Sequence, residues 1–135
     1  MQGAASRRIS VVIPCYNHAR FVGEAIRSVA AQRWSDVELI VIDDGSSDAS
    51  PRIVEQALQE ASSLSRVVFL EQQNTGTHGA LARGIAESSG DVLTILNSDD
   101  RFHPDRLARV MAEAPPRGDF LAFSAVNLID AAGSP

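Results

Sequence analysis

Residues 9–48 read ISVVIPCYNHARFVGEAIRSVAAQRWSDVELIVIDDGSSD. The stretch opens with a short branched apolar run, residues 9–14 (ISVVIP), as expected of a strand buried on both faces. Residues 21–32 then place Val22, Ala25, Ile26, Val29 and Ala30 on one helical stripe. A second buried-strand run, residues 37–42 (VELIVI), ends in Asp43-Asp44-Gly45-Ser46. Trp34, between the helix and that strand, is placed to plug the bottom of the core.

The same alternation continues outward. Ser50-Pro51 reads as an N-cap followed by proline at the first helical position, with Ile53, Val54, Ala57, Leu58 and Ala61 behind it. Residues 66–70 (RVVFL) form a third strand, and residues 79–89 a helix stopped by Gly90. Residues 91–96 (DVLTIL) form a fourth strand that runs into Asn97-Ser98-Asp99-Asp100. Residues 104–114 make a helix with Leu107, Val110 and Met111 inward, and residues 120–129 read as a fifth strand. Four strand–helix alternations predict an α/β fold, a three-layer α/β/α sandwich around a mostly parallel sheet. One domain over residues 9–130 is expected, with a flexible start (1–8) and a ragged end (131–135).

Bulk properties remove several classes of function. A hydrophobic share of 44% with 21% charged residues is that of a globular protein, not a disordered one. The net charge of −5 disfavours nonspecific binding to nucleic acid or anionic lipid. All twelve basic residues are arginine. Without lysine there is no Walker-type phosphate loop and no Schiff-base chemistry. Cys15 is the only cysteine, so neither an internal disulfide nor a cysteine-rich zinc site is possible. No signal-peptide run and no membrane-length apolar segment is present in the sequence, which fits a cytoplasmic setting with at most peripheral membrane contact.

In open parallel sheets, ligands bind beyond the carboxyl ends of the strands. Those positions here hold Pro14, Tyr16 and Asn17, then Asp43 and Asp44, then Asn97, Ser98, Asp99 and Asp100. Adjacent carboxylates at a strand end repel unless a cation or donors compensate, and hard oxygens suit Mg²⁺ or Mn²⁺. The same residues also suit simple turn capping, and Tyr16 suits either a stacking face for a base or ordinary packing. The small-residue stretch 74–84 enters a helix, where Arg83 is placed to reach a phosphate or to sit at the surface. His18, beside Asn17, is expected in solvent, and Cys15 at the edge of the core.

Taken together in this order, residues 11–48 closely resemble the opening of family 2 glycosyltransferases. Residues 74–107 resemble the next part, with a glycine-rich loop, a helix, Gly90-Asp91, a strand and an acidic tetrad before Pro104-Asp105-Arg106-Leu107. The resemblance implies a Rossmann-like GT-A fold and an inverting transfer from a nucleotide-diphosphate sugar, UDP-linked, assisted by Mn²⁺ or Mg²⁺. It implies that Pro14, Tyr16, Asn17, Asp43 and Asp44 hold base and ribose, with Asp44 on the base, and that Arg83 lies near the diphosphate. Asn97, Ser98 and Asp99 would border the donor, and Asp99 with Asp100 would bind the metal. Family members serve polysaccharides, lipids and proteins, and they continue into an acceptor-binding half that supplies a catalytic aspartate. No residue here matches that base, so these residues are expected to be the donor-binding half. Asn97 stands where the family usually has aspartate, and Gly84 where asparagine is common. A noncatalytic nucleotide-sugar-binding module of the same fold is the alternative.

Overall fold

A computed structural model describes residues 7–135. The elements run β1 (Ile9–Cys15), α1 (Val22–Ala30), β2 (Val37–Asp43), α2 (Ser50–Gln59), β3 (Arg66–Glu71), α3 (Thr77–Glu87), β4 (Val92–Ile95) and α4 (Arg106–Glu113). Among the described residues the strands form one parallel sheet in the order β3-β2-β1-β4. The expected α/β architecture is therefore present.

Alternation along the central strands divides the core in two. Ile9, Val11, Ile13, Leu39 and Val41 pack with Val22, Ile26 and Val29 of α1, Val54 of α2 and Leu107 of α4. Val12, Ile40 and Ile42 face the other way, against Ala80 and Leu81 of α3. Among the described residues, three helices cover one face and a single helix the other. Both central strands are buried throughout, which is why their runs are continuously apolar rather than alternating. Each such Ile or Val contributes roughly 1.5–3 kcal/mol by leaving water. The single helix sits close: a Cβ on Gly84 would lie 2.4 Å from Val12 Cγ1.

One residue breaks the apolar run. Glu38 is fully buried at the start of β2, at the end of the sheet opposite the strand carboxyl ends. It accepts hydrogen bonds from Ser10 Oγ (2.5 Å), the Ser89 amide (2.5 Å) and hydroxyl (2.8 Å), and Arg66 Nη1 (2.9 Å). Burial pushes its pKa up, but these donors outweigh burial and hold it at about 2. Trp34 packs at this end too and donates its indole N–H to the Arg7 carbonyl.

Three details differ from expectation. Residues 120–129 form no strand: Leu121, Phe123, Val126 and Leu128 are all more than four-fifths exposed. A strand needs a partner's backbone groups, and no neighbouring strand among the described residues supplies them. Ser50 is the first residue of α2 rather than its N-cap, which is Ala49 and makes no side-chain cap bond; Asp48 Oδ1, one residue earlier, accepts the Ser50 amide at 2.8 Å. The end 130–135 folds into a turn about Asp130, whose amide donates to the Ser134 carbonyl at 2.8 Å. Of the expected flexible start, residues 1–6 lie outside the described residues. Arg8 is tied to Asp36 (3.0 Å) and Ser89 (3.1 Å). No described helix is long and apolar enough to cross a membrane.

Candidate nucleotide-sugar cleft

The chain moves from β1 through β2 to β3, then returns to place β4 on the far side of β1. The order reverses between β1 and β4, and the loops that leave these strands diverge. Pro14 fixes where they part. The Val12 carbonyl accepts the Leu96 amide at 3.0 Å, so β1 faces β4 at position 12. Two residues on, Pro14 faces the same side with no N–H to offer, and β4 has already ended at Ile95. On the other side β1 stays zipped to β2, with the Asp44 amide donating to the Cys15 carbonyl at 2.8 Å.

The gap is a cleft of about 290 Å³. Pro14, Cys15, Tyr16 and His18 line it from the β1 loop, Asp44 from the β2 loop, and Asn97, Ser98 and Asp99 from the β4 loop. Thr77 and Ala80 of α3 close its remaining side. A second hollow of about 250 Å³ lies between α1 and α2, lined by Arg20, Glu24 and Arg27, away from the strand ends.

Six of the expected residues thus converge: Pro14, Tyr16, Asp44, Asn97, Ser98 and Asp99. Tyr16 lines the cleft and is 49% exposed. Asp44 is buried and heavily bonded: Oδ1 accepts from Gln72 Nε2 (2.9 Å), the Thr75 amide (2.9 Å) and Thr75 Oγ1 (3.3 Å), while Oδ2 accepts only from the Gly76 amide (2.9 Å). Burial raises its pKa, but those donors prevail and hold it below the usual carboxylate value. Asp99 is the opposite case. It is exposed and has no protein partner among the described residues.

Four expected residues lie beside the cleft instead of on it. Asn17 adopts a left-handed backbone (φ 51°), and its Oδ1 accepts the Ser47 amide at 2.8 Å, clamping the β1 and β2 loops together. Asp43 is consumed by its own turn, with Ser46 donating from its amide (3.0 Å) and hydroxyl (2.7 Å). Arg83 donates to the Glu71 carbonyl (3.1 Å) and Gln72 Oε1 (3.4 Å). Asp100 is exposed in the turn and weakly bonded by Asn97 Nδ2 at 3.4 Å.

The residues that could hold a Mg²⁺ or Mn²⁺ ion are Asp99 and Asp100, exposed hard-oxygen donors. No group of three or more His, Cys, Asp or Glu among the described residues could enclose a metal. One or two carboxylates joined by water and phosphate oxygens is the usual arrangement for Mg²⁺ at a phosphate ester. Sequence reading missed Gln72 and Thr75, which orient Asp44, and it missed His18. Expected in solvent, His18 is half-buried, with Nδ1 2.6 Å from Ser98 Oγ. The signal for Gln72 was its place directly after β3; nothing local marked His18.

Comparison with known proteins identifies the family. The family model described as glycosyl transferase family 2 matches residues 10–124. An uncharacterized glycosyltransferase of Nostoc sp. is 39% identical over 104 residues, covering 77% of this chain and 32% of that protein. The chain therefore spans about a third of the length of the curated relatives it matches. A mannosyltransferase from Pyrobaculum calidifontis, in complex with GDP-Man and Mn²⁺, superposes with a TM-score of 0.74 at 25% identity, over 84% of this chain and 34% of that one. S. aureus TarS in complex with UDP gives 0.69 at 26% identity, over 78% and 31%. With a GT-A-like sheet, a cleft at its reversal point and a family match over most of its length, the chain belongs to glycosyl transferase family 2.

Proposed function

We propose that the cleft binds a UDP-linked sugar together with Mn²⁺ or Mg²⁺, and that these residues are the donor half of an inverting transferase. The observation that carries this is the pairing of two unlike carboxylates on one cleft, Asp44 held by protein donors mainly through Oδ1 and Asp99 free. Three donors saturate Asp44 Oδ1, which leaves lone-pair room on Oδ2 for one further N–H. Uracil has one ring N–H, whereas guanine offers a ring N–H and an amino group side by side; a single opening favours uracil. Tyr16 supplies the stacking face, and Asn17 and Asp43 act as frame behind the site.

Asp99, with Asp100 beside it, would hold the metal ion, which offsets the charge on the departing diphosphate. The transfer itself joins an acceptor hydroxyl oxygen to the anomeric carbon as the bond to the diphosphate breaks. A base must take the hydroxyl proton, and that base is assigned to the acceptor-binding half. Asn97, an amide in place of a carboxylate, favours one second reading, a binding module without turnover. Titration calorimetry tests the proposal: UDP is expected to bind more tightly with Mn²⁺ than with EDTA, and GDP more weakly than UDP. No binding of either nucleotide with or without metal rejects it.

A further inference from the structure

The acidic turn after β4 has to be aimed, and what aims it lies across the cleft. Residues 97–100 hold themselves together through the Asp100 amide on the Asn97 carbonyl at 3.0 Å. Nothing in that bond fixes the turn relative to the β1 loop. The β1–β4 ladder has stopped below it, because Pro14 cannot donate. The turn meets the β1 loop at Ser98, which is buried and has its hydroxyl 2.6 Å from His18 Nδ1.

His18 is itself held from three sides. Its amide donates to Ser50 Oγ at 3.0 Å, tying it to the start of α2. Its carbonyl accepts the amides of Phe21 and Val22, both at 2.9 Å, at the entry to α1. Its ring meets Phe21 edge-on, with centroids 6.1 Å apart. The imidazole is thus a fixed post, and Ser98 is the hook on it. Asp99 is the next residue, exposed and with no protein partner among the described residues. Its direction depends on what its neighbours in the turn are tied to.

Building on the donor-binding reading above, we propose that His18 is a positioning residue. Its Nδ1 bond to Ser98 Oγ sets the acidic turn against the β1 loop, so that Asp99 is aimed where it would hold the donor's cation. Such outer partners typically govern metal affinity by roughly 10–100-fold without touching the ion.

Two substitutions separate this role from its rivals. Asparagine puts its amide where Nδ1 stands, whereas glutamine reaches the place of Nε2. UDP affinity is measured with Mn²⁺ and with EDTA for wild type, His18→Ala, His18→Asn and His18→Gln. The expected result is that the Mn²⁺-dependent gain falls by roughly tenfold or more in His18→Ala and His18→Gln, and returns in His18→Asn. Return in His18→Gln alone would mean direct contact through Nε2 and would overturn the proposal. So would an undiminished Mn²⁺ gain in His18→Ala. If His18→Ala does not fold, the asparagine–glutamine pair decides. A parallel readout needs no nucleotide: hydrogen exchange of the Asp100 amide is expected to speed up in His18→Ala and recover in His18→Asn. Failure of wild type to bind UDP with Mn²⁺ would reject the donor-binding reading. The anchor is then judged on exchange alone, where equal rates in all four proteins would overturn it.

Discussion

The chain carries two Asp-Asp pairs at strand ends, Asp43-Asp44 and Asp99-Asp100, and the fold treats them in opposite ways. The first pair is buried, and its carboxylate oxygens accept from Ser46, Gln72, Thr75 and Gly76. The second is exposed, with only Asn97 at 3.4 Å from Asp100. The Asp44 carboxylate draws the loop 72–76 and the entry to α3 against the end of β2, whereas Asp99 stabilises nothing visible. Identical dipeptides thus divide between a group that holds the cleft in shape and one that is left almost unbonded. Exposed carboxylates are screened by water, so the second pair can stand open at little cost, and it is this pair that the proposal above gives to a cation.

Removing the buried member should do the most damage. Asp44→Ala orphans the Thr75 and Gly76 amides and the Gln72 amide group, so a loss of about 2–4 kcal/mol is expected in urea unfolding, along with UDP binding. Acid separates engaged carboxylates from free ones on the same scale. Glu38 at about 2 and the lowered Asp44 have folded values below their unfolded ones, so their contribution is complete above roughly pH 4.5. It is lost as pH falls through the folded values. The urea midpoint should drop steeply between about pH 4.5 and pH 2, and less steeply in Asp44→Ala. Asp99→Ala should leave the urea midpoint near wild type while Mn²⁺-dependent UDP affinity falls about tenfold or more, some 1.4 kcal/mol. A matching loss of stability would erase the contrast between the pairs. The smallest effect belongs to Asn97→Asp: a third carboxylate in the turn should tighten Mn²⁺-dependent binding by about two- to fivefold, read by calorimetry.

The strands and helices were legible because a doubly covered sheet demands continuous apolar runs, and residues 9–14 and 37–42 supply them. Residues 120–129 misled for the same reason. Their pattern suits a strand, but pairing depends on a neighbour that local sequence does not encode. At the site, spacing located the strand ends and hence Tyr16, Asp44 and Asp99. It gave no way to tell which of two adjacent aspartates faces the cleft, since that turns on long-range donors such as Gln72 and Thr75. His18 was read as solvent-facing because its partner, Ser98, lies eighty residues away in the chain. The buried Glu38 was visible as one acid within VELIVI, yet its partners Ser10, Arg66 and Ser89 come from three separate segments.

Gly84 lies about one turn along α3 from Ala80 at the cleft, yet it acts on the cleft's width. With no side chain there, the helix rests almost directly on Val12, where even a methyl would overlap at 2.4 Å. Thr77 and Ala80 ride on that same rigid rod and form one wall of the opening. Any larger residue at 84 would prop the rod off the sheet and swing the wall outward. The room available to a ligand is therefore gauged from inside the core, by an atom that is missing.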